Sequence, residues 1–80
     1  MTDYALTNRI VVSRDIVHGK PRIAGTRIMV YQILDLFAAG KNIAEIISDE
    51  YFPELTVEDV LACIAYASLL VQNEDIVLTA

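Results

Sequence analysis

From residue 30 onward the apolar positions fall into a helical period. Val30, Ile33, Leu34 and Phe37 sit at i, i+3, i+4 and i+7, which puts them on one face of an α-helix. Gly40 follows Ala38 and Ala39 as a stop signal, and Lys41 suits the negative end of the helix dipole. Asn42 and Glu45 then offer a capping box for a second helix with Ile43, Ile46 and Ile47 along its apolar edge. That helix should stop near Tyr51, because Pro53 disfavours helical geometry at Phe52. A third helix opens at Thr56, a good N-cap, with Glu58 and Asp59 in the first turn where the dipole favours acids. Val57, Val60, Leu61, Ile64, Ala67 and Val71 are the positions expected to face a core. Cys63, Tyr66, Leu69 and Leu70 would then point elsewhere, so the helix is apolar well beyond one stripe. A helix of that kind is buried on more than one side.

The first third of the chain has a different texture. Residues 1–8 show no clear period and are expected to fray. Residues 9–13 are rich in β-branched side chains and read as a short strand, followed by a loop over residues 14–21 that contains Gly19 and Pro21. Residues 22–28 form two short extended pieces around Gly25, which can take the positive φ of a tight turn. Residues 76–78 could add a last short strand. The expected architecture is mainly α. A small β-element over about residues 9–28 precedes a three-helix, helix-turn-helix-like bundle over about residues 30–71, with a short tail at 72–80. The whole is read as one domain.

Eighty residues suit one such domain and leave its stability marginal. The usual staples are missing: Cys63 is the one cysteine and His18 the one histidine, so neither a disulfide within the chain nor a zinc site can be assembled. A lone thiol in an apolar helical run fits a buried residue in a reducing compartment, and the cytoplasm is the expected location. Hydrophobic residues make up 55% of the chain. That exceeds the roughly 45–50% of ordinary domains and points to a second chain covering part of the surface, a homodimer being the simplest case. Residues 60–71 form the longest nearly apolar run, well short of the ~20 residues a membrane span needs. Charge is split. Up to Lys41 there are six bases against three acids, a net +3, whereas from Asn42 onward there are eight acids and no base. An anionic partner should therefore meet the N-terminal half.

One stretch is more specific than the helix pattern. Residues 19–28 read GKPRIAGTRI and lead into the helix that ends at Gly40. Ile43, Glu45 and Ile46 come next, then Tyr51, Pro53, Leu55, Thr56, Glu58, Asp59 and Val60. This series closely resembles the family catalogued as domain of unknown function 433, bacterial and archaeal proteins assigned to a helix-turn-helix group. The likeness runs from about residue 10 to residue 67. It implies a β-element followed by a trihelical bundle, and a role as antitoxin beside a PIN-type nuclease toxin.

The residues themselves set conditions on that role. The third helix carries Glu58 and Asp59 where base contacts would fall, and no Lys or Arg, so phosphates would repel it. If DNA is bound, the basic arm must bind it. The candidate partner- or DNA-binding residues are Arg14, Lys20, Arg22 and Arg27, with Arg9 nearby. Arg27 is the strongest single candidate, since an inserted arginine can pair with the carboxylates of a nuclease. Its alternative role is to pair with an acid of its own domain. Tyr66, Leu69 and Leu70 are candidate interface residues, while Gly25 and Gly40 serve turn geometry. Tyr31 is either an interface contact or part of the core. No nucleophile, base and orienting group emerge together, so no catalytic, cofactor or metal residue is assigned. Three functions remain open: a non-catalytic antitoxin, a stand-alone DNA-binding regulator, and a homodimeric scaffold.

Overall fold

The β-branched run at the start of the chain becomes the middle of a sheet. The computed structural model describes residues 3–73. Strand β1 spans Tyr4–Ala5, β2 spans Ile10–Val12 and β3 spans Arg22–Ile23. They form a three-stranded antiparallel sheet in the order β1-β2-β3, with Ala5 opposite Val11, Ile10 opposite Ile23 and Val11 opposite Arg22. Because side chains alternate along a strand, Ile10 and Ile23 share one face. Both are essentially inaccessible and join the hydrophobic core.

The helices follow: α1 over Val30–Ala38, α2 over Ile43–Ile46 and α3 over Val57–Gln72. Helix α1 begins without a polar N-cap; instead the Gln32 side chain accepts from the Met29 N–H at 2.9 Å. It ends in a Schellman motif. The Lys41 N–H reaches the Leu36 carbonyl and the Gly40 N–H the Phe37 carbonyl, both at 2.9 Å, while Gly40 takes φ +90°. Helices α2 and α3 carry reciprocal capping boxes, Asn42 with Glu45 and Thr56 with Asp59. The core gathers Ile28, Val30 and Ile33 before and along α1, Ile46 of α2, Leu55, and Val60 and Cys63 of α3, over the two sheet isoleucines.

This corrects the mainly α expectation. The structure is 45% helical and 14% strand, a small mixed α and β fold in which the sheet is a structural layer. Two local features account for the difference. Residues expected to fray supply β1, whose pairing encloses β2 on both edges. The second helix, expected to reach toward Tyr51, is a single turn. The Ser48 hydroxyl donates to the Glu45 carbonyl, and the Phe52 N–H returns to the Ile46 carbonyl at 2.9 Å. The three expected helices are present after the β-element, but they do not make the fold mainly α. The strand anticipated at residues 76–78 lies outside the described residues.

The phase of α3 also differs from expectation. Val60 and Cys63 are fully buried, and Ala62 and Tyr66 pack against the core. Val57, Leu61, Ile64 and Val71 are 41%, 49%, 40% and 69% exposed. Periodicity alone cannot choose a face on a helix that is apolar nearly all round. Packing against the sheet and α1 decides it, and an ion pair lies on the same side: Nη1 of Arg9, just before β2, donates to Oδ1 of Asp59 at 3.0 Å. Asp59 lies about 40° from Cys63 around the helix, at 100° per residue. The pair thus holds α3 to the sheet on the side that is buried.

On the opposite sheet face, Arg22 is 3% exposed. Its Nη2 donates to Asp3 Oδ1 at 3.0 Å and to Ser13 Oγ at 3.2 Å, and the Ser13 hydroxyl donates to the same Asp3 oxygen. Among the described residues, Nε and Nη1 of Arg22 have no hydrogen-bond partner. Buried donors left unmade cost about 1–3 kcal/mol each.

Two stability predictions follow from these pairs. Burial alone would raise the Asp59 pKa, but hydrogen bonds from the Thr56 backbone N–H and from Arg9 outweigh it and hold the carboxyl below its ordinary 3.8. The contribution is therefore complete above pH 3.8 and drains away as the pH falls through the folded value. Asp59→Asn should lose about 1 kcal/mol at pH 7, and urea titrations should show the gap to wild type closing in acid. For the second pair, Asp3→Ala strands a buried guanidinium, whereas Arg22→Met removes it. Because Asp3 is 47% exposed, the first should cost only about 1–2 kcal/mol, and the second should cost less or stabilise. Thermal melts giving the reverse order would contradict this account of Arg22.

Candidate binding site

The basic residues of the N-terminal half divide into two groups. Arg9 and Arg22 are engaged in ion pairs, with Asp59 and with Asp3. Lys41 places its ammonium over the Tyr51 ring, 6.0 Å from the centroid. Arg14, Lys20 and Arg27 make no ion pair among the described residues, and all three are exposed. They line one open concavity of about 620 Å³ together with Asp15, Val17, His18, Met29 and Tyr31. Three cations thus face one carboxylate.

Two turns bring these cations together. The first, residues 16–19, is left-handed: Val17, His18 and Gly19 take φ of +45°, +59° and +73° in succession. Hydrogen bonds close it, from the Gly19 N–H to the Ile16 carbonyl and from the Lys20 N–H to the Val17 carbonyl, both 3.1 Å. Glycine accepts such angles freely, but a β-branched valine does not, and each strained residue costs about 1–3 kcal/mol. The second turn spans residues 23–26. The Thr26 N–H donates to the Ile23 carbonyl at 3.1 Å, Gly25 supplies φ +79°, and the Thr26 hydroxyl donates to the same carbonyl while accepting from the Ile28 N–H. Arg27 projects from the end of this turn, and Arg14 and Lys20 flank the left-handed one. Gly25 thus shapes the site without lining it, and Gly40, in its Schellman motif, lies in neither concavity.

Beside the basic concavity runs an apolar groove of about 220 Å³ between α1 and α3. Its walls are Lys20, Pro21, Val30, Tyr31, Leu34, Tyr66, Ala67 and Leu70. Lys20 and Tyr31 belong to both depressions, so the two form one continuous surface. Tyr66 is half-buried in the groove, Leu70 is 50% exposed at its rim, and Leu69, 45% exposed, lies outside it.

Of the four basic residues singled out by sequence, Arg14, Lys20 and Arg27 are brought together, and Arg22 is not, being buried on the sheet. Asp15, Val17 and Met29 had no sequence signal as lining residues, since only the paired turns carry them to the concavity. His18 lines it too, though nothing in its neighbourhood makes a ligand set. Among the described residues no group of three or more His, Cys, Asp or Glu could hold a metal ion. Cys63 lies in the core, where burial first and the nearby Asp59 charge second push its thiol up to about 11. At neutral pH it is almost wholly protonated and a poor nucleophile. No helix among the described residues is long and apolar enough to cross a membrane.

No curated protein and no solved structure matches the chain. A family model does: residues 10–67 match the one described as "Protein of unknown function (DUF433)". That span holds both turns, the core strands β2 and β3, helices α1 and α2, and α3 as far as Ala67. The chain belongs to the DUF433 family.

Proposed function

We propose that the chain is a non-catalytic binding protein, the antitoxin of a type II toxin–antitoxin pair that neutralises a PIN-like nuclease by protein–protein contact. The observation that carries this reading is the surface on which Arg14, Lys20 and Arg27 ring a concavity continuous with the apolar α1–α3 groove. A nuclease that holds metal with carboxylates presents a concentrated negative cavity. An arginine on a projecting turn can enter such a cavity and form a bidentate pair with a carboxylate. The groove, walled by Tyr31, Tyr66 and Leu70, offers the aromatic and aliphatic anchors typical of interface cores. Arg27 is the residue assigned to the nuclease site, with Arg14 and Lys20 steering the encounter.

A stand-alone DNA-binding regulator is the second reading, and the same three cations favour it. Helix α3 does not contribute, because Glu58 and Asp59 occupy its first turn and it carries no base. Counterion release separates the two readings. Three phosphate contacts per protomer give a slope of log K against log salt of roughly −2.7.

Co-expression with the product of the adjacent gene provides the test. The wild-type chain should co-purify with it and suppress its toxicity. Arg27→Glu should weaken the complex about 10–100-fold, the worth of a buried charge-assisted pair. Full retention of binding by Arg27→Glu, or failure of the wild type to co-purify, counts against the antitoxin reading.

A further inference from the structure

The two depressions differ in character and meet at two residues. The concavity of about 620 Å³ sets Arg14, Lys20 and Arg27 against the single carboxylate of Asp15. Its volume lies within the ~300–1,000 Å³ usual for small-ligand sites. The groove of about 220 Å³ is walled by aliphatic side chains and two tyrosines, Tyr31 and Tyr66, with Lys20 as its one charged residue. Lys20 and Tyr31 line both. Tyr31, 50% exposed, therefore stands where the cationic half passes into the apolar half.

A ligand that fills this surface is anionic at one end and flat and apolar at the other. The two ends must lie close enough for one lysine and one tyrosine to reach both. We propose that the concavity and the groove together bind a nucleotide with an unpaired base. The phosphate lies among Arg14, Lys20 and Arg27, and the base enters the groove against Tyr31 and Tyr66. Cations hold the phosphate oxygens through charge-assisted hydrogen bonds. Every base has a π-face, so an exposed aromatic ring beside them adds stacking whatever the base. An aliphatic anion would gain only buried area from the two rings. A duplex keeps its bases paired and stacked on one another, and offers Tyr31 no free face.

The cationic wall is also where the backbone is strained. Val17 and His18 hold φ of +45° and +59°, and both line the concavity. Strain of this kind gathers at ligand sites. The turn they form leads directly into Lys20, the cation that both halves share. The antitoxin reading uses the same surface, but the nucleotide inference does not rest on it, because the ligand binds the chain alone.

Chemical-shift titrations of the isotope-labelled full chain test the two ends of the ligand separately. The probes are adenosine monophosphate, inorganic phosphate and adenosine. The monophosphate should shift the amide signals of residues 14–20 and 27–31 together with those of Tyr66 and Ala67. It should bind at least about 10-fold more tightly than inorganic phosphate. Arg27→Gln should weaken the monophosphate and inorganic phosphate about 10-fold and leave adenosine unchanged. Tyr31→Ala should weaken the monophosphate and adenosine about 5- to 100-fold and leave inorganic phosphate unchanged. Both side chains are exposed, and the unshifted remainder of each spectrum checks that the variants stay folded. A single strand of about twelve nucleotides separates the two sources of the ligand. Binding at least about 30-fold tighter than the monophosphate assigns the site to a strand, and weaker discrimination assigns it to a free nucleotide; both uphold it. The proposal is overturned if the monophosphate binds no better than inorganic phosphate, if either variant has no effect, or if a duplex binds as tightly as the single strand. None of these results bears on co-purification with the adjacent gene product, so the two readings fail separately.

Discussion

The Arg9–Asp59 pair is the contact on which the arrangement of the molecule turns. It ties the residue before the central strand to the first turn of the longest helix, across a sequence separation of 50 residues. Asp59 also closes the capping box with Thr56, so one carboxylate serves both the helix terminus and the tertiary contact. In energy the pair is modest, since Arg9 is partly in water. Its importance is directional. An apolar helix has several nearly equivalent ways to lie on a sheet, and one polar anchor on the buried side favours the packed one at small cost.

Once α3 is oriented, both of its remaining faces are set. Tyr66, Ala67 and Leu70 line the groove against α1, and Val57, Leu61, Ile64 and Val71 are left exposed. The high apolar content of the chain is thus not explained by its core alone. A nine-residue buried cluster and the partly buried residues packed on it use only part of it, and some of the remainder lies exposed on two surfaces of the same helix. One helix can in this way serve the core and still leave two apolar surfaces exposed, because 3.6 residues per turn distribute a continuous apolar run around the whole circumference.

The basic surface shows the same economy. Six cations precede Asn42, yet the fold pairs Arg9 with Asp59 and buries Arg22 beside Asp3, and leaves Arg14, Lys20 and Arg27 converging on one concavity. Convergence depends on a strained left-handed turn at Val17 and His18 and on the glycine turn at Gly25. Strain of that size, in a small and marginally stable domain, is tolerated only where surrounding structure imposes it.

Local rules in the sequence determined a good deal. Residues 9–13, the start and stop of α1, and the caps at Asn42 and Thr56 were all legible, because β-branching, helical period and capping act over a few residues. The GKPRIAGTRI stretch and its sequel identified the family for the same reason. Other features were decided only in three dimensions: the pairing of Tyr4–Ala5 with β2, the brevity of α2, the burial of Arg22, and which side of α3 faces inward. Each depends on a partner outside the element itself, a few residues away for β1 (β2) and for the end of α2 (Phe52), and far along the chain for Arg22 (Asp3) and α3 (Arg9). Periodicity reports that a helix has an apolar face. Only the neighbour it packs against determines which apolar face becomes core and which remains a surface.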